Sequence, residues 1–419
     1  MSGHSLEEGR ERALVVYVNP DAEEDEYSEL EFEGLVEAAQ GEVVGSARQR
    51  VDRATSATYV RSGKVQEIAG FAAELDADVV AFDCELSGVQ IRNLEEKIER
   101  RVIDRPTLIL DIFARRANTR EGQLQVELAM MSYRLPRLMS VYTKFERQKG
   151  GIGMRGPGET KLESDRRMVK ARISRLSDEI GKVKEHREQQ RQERERLPYP
   201  LVSLVGYTSA GKSTLMNRLA DTSVLADAMP FATLDPTTRL VTTENGSKMF
   251  LSDTVGFIRR LPTTLVAAFR ATLEEVTRSR LLLHVVDASR EGWELQRDAV
   301  LETLEVIGAA ELPMLTVFNK SDLLPPGLAE RLSEEWPDSV AVSALAGEGV
   351  PRLLDEVQAR LTSGWRHVEV LLPYDQSGLI ESCHKYGRVI SEEYTPEGVA
   401  IKSEMPIEWA ERLATYART

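Results

Sequence analysis

Apolar residues in this chain come in short unbroken runs separated by amphipathic stretches. Residues 13–18 (ALVVYV), 77–83 (ADVVAFD) and 107–113 (TLILDIF) read as strands, since short continuous runs of this kind fit burial on both faces. Between them, 28–39 and 90–101 (QIRNLEEKIERR) carry helical patterns. Strands alternating with helices predict an α/β domain with parallel pairing over 1–120.

The pattern then changes period. Leu124, Leu128, Met131, Leu135 and Leu138 are spaced 4, 3, 4, 3, and Leu162, Val169, Ile173, Leu176, Ile180 and Val183 are spaced 7, 4, 3, 4, 3. Both are heptad-like stripes of a coiled-coil seam. They predict an antiparallel helical hairpin over 121–196, with a glycine-rich loop at 150–160 and a kink or end at Pro136. RLPYP at 196–200 reads as a linker. Strand and helix alternate again over 197–363, with strands at 201–205, 281–287, 313–318 and 339–342 and a closing helix at 350–361. A hairpin at 241–253 turns at Asn245-Gly246. Residues 364–419 read as a small α+β domain opening on a strand at 368–373.

Composition narrows the function. The 419 residues carry a formal net charge of −14, so a uniform surface would repel nucleic acid. The two cysteines, Cys84 and Cys383, lie in unrelated contexts and imply no disulfide framework. His384 beside Cys383 makes a poor metal site. No run approaches the ~20 apolar residues of a membrane span, and the acidic, polar start is not a signal peptide. A cytoplasmic protein is expected, with no membrane partner.

Three motifs carry the chemistry. GYTSAGKS at 206–213 follows a strand and opens a helix, as a phosphate loop must. Gly206, Tyr207, Thr208, Ser209, Ala210, Gly211, Lys212, Ser213 and Thr214 would wrap the phosphates. Lys212 would reach the β- and γ-phosphates and Ser213 would ligate Mg²⁺. DTVG supplies Asp253, Thr254, Val255 and Gly256: the aspartate is placed to hold Mg²⁺, and the Gly256 N–H to meet the γ-phosphate. NKSD supplies Asn319, Lys320, Ser321 and Asp322. The Asp322 carboxylate suits the paired N1–H and exocyclic amine of guanine, a donor pair that adenine lacks. Asn319 would brace the loop and Lys320 cover the base, while a backbone N–H among Ser343, Ala344 and Leu345 would meet the guanine oxygen. FATLDPTTR at 231–239 lies where a switch loop belongs, bringing in Phe231, Ala232, Thr233, Leu234 and Asp235; Thr233, Thr237 and Thr238 compete for the magnesium role. The expected ligands are GTP or GDP with Mg²⁺.

Two departures stand out. Phe257 follows Gly256 where a water-orienting glutamine is usual. Ser209 stands where potassium-activated relatives carry asparagine, so potassium activation is not expected. One stretch also runs against the acidic background: residues 144–196 hold 16 Lys/Arg against 10 Asp/Glu. A basic island in an acidic chain favours a polyanionic partner. A second nucleotide site at the glycine-rich loop is disfavoured, because no lysine–serine pair follows its glycines.

The chain resembles the HflX family of ribosome-associated GTPases. The resemblance covers nearly the whole length and rests on TYVRSGKVQEI at 58–68, LILDIFARRANTREGQLQVELA at 108–129, GGIGMRGPGET at 150–160, GYTSAGKS, FATLDPTTR, DTVGF and NKSD. It implies an N-terminal α/β domain, a helical hairpin, a Ras-like G domain and a small C-terminal domain. It also implies GTP hydrolysis and binding of the large ribosomal subunit and its RNA, on stalled or idle ribosomes. The family's switch threonine falls on Thr233, which makes Lys212, Thr233 and Gly256 the expected catalytic residues and Ser213, Thr233 and Asp253 the metal ligands. Phe257 matches the family's hydrophobic residue after DTVG. No DNA partner is expected, and the chain is expected to act as a monomer. The alternative is a nucleotide-gated RNA- or ribosome-binding module in which hydrolysis is incidental.

Overall fold

The computed structural model describes all residues except 1–9, 19–24, 147–156, 196, 198, 221–230, 232–236, 244–246, 260–274 and 418–419. The described residues form two compact units, one up to Val183 and one from Lys184 onward, except that Phe231 groups with the first.

In the first unit, β1 (Glu11–Val18), β2 (Gly41–Gln49), β3 (Val79–Phe82) and β4 (Arg101–Asp104) form a parallel sheet in the order β2-β1-β3-β4. The helices are α1 (Asp25–Ala38), α2 (Ser62–Glu74), α3 (Gly88–Ile98) and α4 (Arg105–Arg116). Ser87 caps α3 in a capping box with Gln90. The run at 107–113, expected as a strand, lies instead inside α4. Asp104 accepts the Thr107 N–H at 3.1 Å, and Pro106 sits in the first turn, so the helix starts there. Leu108, Ile109, Leu110, Ile112 and Phe113 are all buried, and the polar face left by Thr107, Asp111 and Arg115 is narrow, so the run 107–113 looks like a continuous apolar stretch. The fourth strand falls at 101–104, at and beyond the end of the helix expected over 90–101.

Helix α5 (Arg120–Glu146) continues past Pro136 rather than ending there. One face joins the sheet domain: the Tyr133 hydroxyl donates to Asp104, and Arg137 donates to the Leu86 carbonyl at 2.9 Å. Its heptad stripe starts at buried Leu124 and continues through half-buried Leu128, Met131, Leu135 and Leu138. Helix α6 (Pro157–Glu195) begins within the expected glycine loop, so 157–160 are helical, while 150–156 lie outside the described residues. Arg120 pairs with Glu179 at 2.8 Å and Glu127 with Arg172 at 2.7 Å. The rising and falling numbers make the hairpin antiparallel.

In the second unit, β5 (Leu201–Gly206), β6 (Thr237–Thr242), β7 (Lys248–Asp253), β8 (Leu281–Asp287), β9 (Met314–Asn319) and β10 (Ser339–Ala341) form a sheet ordered β10-β9-β8-β5-β7-β6, with only β6 antiparallel. The turn at Asn245-Gly246 lies outside the described residues. Helices α7 (Lys212–Leu219), α8 (Trp293–Ile307) and α9 (Leu328–Glu335) follow β5, β8 and β9, and α10 (Val350–Leu361) follows the last strand, β10. Val202, Leu204, Leu283, Leu315, Val317 and Leu353 fill the core. A three-stranded antiparallel sheet follows, made of β11 (Arg366–Leu372), β12 (Arg388–Thr395) and β13 (Gly398–Met405), with β13 central. It packs with α11 (Ser377–Tyr386) and α12 (Ile407–Leu413) over Val370, Leu372, Cys383, Ile401 and Leu413. Cys383 is thus a core residue, and His384 pairs with Glu392 at 2.9 Å. No described helix is long and apolar enough to cross a membrane.

Candidate nucleotide site

β5 ends on Gly206 and α7 opens on Lys212, so five residues turn the chain from strand to helix. Two glycines are demanded by space and torsion. At Gly206, φ 153°, a Cβ would lie 2.2 Å from the Val285 carbonyl oxygen; at Gly211, φ 93°, it would lie 2.2 Å from Asn319 Nδ2. Ser209 adopts φ 60° without being glycine.

Lys212 is buried. Its Nζ donates to the carbonyls of Gly206 at 3.0 Å and Tyr207 at 2.8 Å. Burial, countered in part by the nearby Asp253 carboxylate, lowers its pKa to about 8. A phosphate oxygen is a stronger partner than either carbonyl and would favour the charged form. Beside it, Ser213 Oγ donates to Asp253 Oδ2 at 2.7 Å. Two adjacent hard oxygen donors suit magnesium, which takes few protein ligands and fills its octahedron with phosphate and water. Among the described residues no group of three or more His, Cys, Asp or Glu could hold a metal.

β7 delivers Asp253, and Thr254 Oγ1 donates to the Leu204 carbonyl at 2.7 Å, fixing the next residues beside β5. Phe257 N–H donates to the Gly206 carbonyl at 3.1 Å, and Thr208 N–H donates to the Phe257 carbonyl at 2.9 Å. The Tyr207 hydroxyl accepts the Arg259 N–H at 2.8 Å. The segment after DTVG is thereby zipped along the phosphate loop. The Phe257 side chain is buried and has no group to orient a water.

The base side is built from three loops tied by one residue. Asn319 Nδ2 donates to the Ala210 carbonyl at 2.8 Å, and its Oδ1 accepts the Ala344 N–H at 3.0 Å. This is the bracing expected of Asn319. Lys320, at φ 62°, pairs with Asp287 at 2.6 Å. Asp322 is exposed, and its carboxylate makes no hydrogen bond or ion pair among the described residues. A pair of acceptors without a protein partner, beside a lysine held in place, is what a purine with two donors requires. Ser343 and Ala344 are buried, whereas Leu345 is 74% exposed.

Of the switch residues, Ala232, Thr233, Leu234 and Asp235 lie outside the described residues. Phe231 is buried edge-on against Phe113, with centroids 4.5 Å apart. Thr237 and Thr238 open β6, and Thr238 Oγ1 lies 3.4 Å from Ser252 Oγ. Asp287 is not among the residues expected from sequence. An acid closing the buried run LLLHVVD is the available signal, since ligands of such sheets gather at the carboxyl ends of strands.

Four family models match in succession: "GTP-binding GTPase N-terminal" over 26–114, "GTP-binding GTPase Middle Region" over 116–194, "50S ribosome-binding GTPase" over 201–320 and "HflX C-terminal domain" over 328–413. The chain is 44% identical over 413 residues to a GTPase HflX of Lacrimispora saccharolytica, covering 98% of this chain and 97% of that protein. It is also 44% identical over 402 residues to the GTPase HflX of Escherichia coli, covering 95% and 94%. A crystal structure of a GTP-binding protein from Sulfolobus solfataricus in complex with GDP aligns at 25% identity over 84% of this chain and 99% of that one, with a TM-score of 0.43.

Proposed function

The chain belongs to the HflX family of GTPases and hydrolyses GTP, and from that premise we propose that it does so on the large ribosomal subunit, docked through its helical hairpin. The observation that carries this reading is the hairpin itself. Two ion pairs fix it as an antiparallel arm, and the stretch 144–196 carries an excess of positive charge on a chain of net −14. Lys170 and Arg175 on α6 are exposed and make no ion pair among the described residues. Such cations attract RNA phosphates through counterion release. The family description "50S ribosome-binding GTPase" agrees with that partner.

At the nucleotide site, Lys212 binds the β- and γ-phosphates, and the Gly256 N–H meets the γ-phosphate. Asp322 reads the guanine edge, with Lys320 over the ring and Asp287 holding Lys320 in place. Ser213, Asp253 and Thr233 would hold magnesium. The ion would offset charge on the phosphate oxygens. Phe257 leaves the attacking water without a side-chain partner, so basal turnover is slow, on the order of 10⁻⁴ s⁻¹ as in unassisted relatives of this fold. The ribosomal surface supplies the missing order. Co-sedimentation with isolated subunits tests the docking. Wild type is expected to pellet with the large subunit, and Lys170→Glu with Arg175→Glu to abolish pelleting at moderate salt while GTP affinity stays unchanged. Pelleting unaffected by the double substitution would remove the hairpin from the interface.

A further inference from the structure

Helix α7 begins in the phosphate loop and reaches the base-side loop at its other end, about 9 Å away at 1.5 Å per residue. There Arg218 Nε donates to the Ala344 carbonyl at 3.2 Å, and its Nη2 donates to the Leu345 carbonyl. The neighbouring N–H groups are already engaged. Ala344 N–H goes to Asn319 Oδ1 at 3.0 Å, Ala346 N–H to Ser343 Oγ at 3.0 Å, and Gly347 N–H to the Ser343 carbonyl at 2.7 Å. The Leu345 N–H has no partner among the described residues. In a trans peptide the N–H points opposite to the carbonyl it shares a plane with. A guanidinium that holds the Ala344 carbonyl toward α7 therefore turns the Leu345 N–H away from α7.

We propose that Arg218 is a positioning residue for base recognition, holding the peptide between Ala344 and Leu345 so that the Leu345 N–H meets the 6-oxo group of guanine. This rests on the reading of 319–322 and 343–345 as the base site. Arginine suits this role because its rigid planar fork fixes the directions of the two N–H groups that meet the two carbonyls, whereas a lysine ammonium is a compact charge without that fixed geometry. The same helix presents Lys212 and Ser213 at its other end, so one rigid element fixes phosphate and base contacts in common.

The test compares GTP with 6-thioguanosine triphosphate, whose sulfur is a weaker acceptor at the same position, on wild type, Arg218→Ala and Arg218→Lys. Wild type is expected to prefer GTP. Arg218→Ala should weaken GTP about tenfold, the loss of roughly one well-made hydrogen bond plus loop order, and weaken the thio analogue far less, so that the preference collapses. The loss should fall on KM and not on kcat, and Arg218→Lys should lie between. Equal weakening of both nucleotides would reduce Arg218 to a general stabiliser and overturn the proposal, as would no change in either. Should Arg218→Ala fold poorly, the preference ratio of Arg218→Lys decides: an unchanged ratio overturns it. Wild type that binds ATP as tightly as GTP would sink the base-site reading itself, a failure distinct from that of Arg218.

Discussion

In the N-terminal sheet, β3 runs into Asp83 and β4 ends on Asp104; in the second sheet, β7, β8 and β9 end on Asp253, Asp287 and Asn319. Both are parallel α/β sheets, and both gather polar groups at the carboxyl ends of their strands. In the first, these groups close on one another. Arg105, 2% exposed, pairs with Asp83 at 2.6 Å and with Glu31, while Asp104 accepts from the N–H groups of Leu86 and Thr107 and from the Tyr133 hydroxyl. Burial next to Asp104 raises the Tyr133 pKa well above its ordinary value, so that hydroxyl remains a donor. In the second sheet the partners are replaceable. Lys212 leans on two backbone carbonyls, Ser213 on the Asp253 carboxylate, and Asp322 on nothing among the described residues. A sheet end becomes a ligand site when its polar groups are held in place without being consumed.

The largest effect that sharpens this contrast is in the sealed sheet. Arg105→Met leaves two buried carboxylates without their cation and should cost about 3–5 kcal/mol of local stability. Hydrogen exchange in β1–β4 should accelerate accordingly, with GTP affinity unchanged. Lost GTP binding without lost protection would mean that the N-terminal sheet end is itself a ligand site.

The two sheets also differ in how readily they can be read from sequence. In the nucleotide unit, strand ends, glycines and site residues coincide, so 281–287 and 350–361 match their elements to the residue. Gly206 and Gly211 announce a loop that no other residue could make. The N-terminal unit carries no such marks. Its fourth strand is four residues long and follows α3 with only two residues between, while α4 buries most of its surface and keeps only a narrow polar face at Asp111 and Arg115. Strand β2 (GEVVGSARQ) leaves no legible pattern because its burial is partial and its composition polar. Pairings of distant residues, such as Lys320 with Asp287 or Arg218 with 344–345, need the fold and leave no local signature.

The next effect lies in the open sheet. Asp322→Asn should lower GTP affinity at least about tenfold, since it leaves one purine donor facing another donor. Xanthine nucleotides should gain in relative terms, and thermal stability should hold. Calorimetric titration of both nucleotides measures this. An equal loss for both would show that Asp322 does not read the base.

The pH dependence is smaller. The folded, nucleotide-free protein holds the Lys212 pKa near 8, below the 10.5 of an exposed lysine. Between those values the unfolded chain keeps a proton that the folded site has lost, so stability of the nucleotide-free protein rises from pH 8 toward 10.5. Phosphate binding takes that proton up again, so GDP affinity should fall as pH climbs above 8, by up to about tenfold per unit. Flat affinity from about pH 7 to about pH 9 would place the lysine charge outside the binding step. Smallest of all should be Phe257→Leu, which keeps an apolar residue in a buried position: basal turnover should change by less than about twofold, read by phosphate release.

The central claim is that GTP turnover awaits a ribosomal surface, and steady-state phosphate release with and without purified large subunits tests it most directly. Turnover should be near ~10⁻⁴ s⁻¹ for the chain alone and rise at least about a hundredfold at saturating large subunits. Turnover already near one per second without them, or unchanged in their presence, would contradict it.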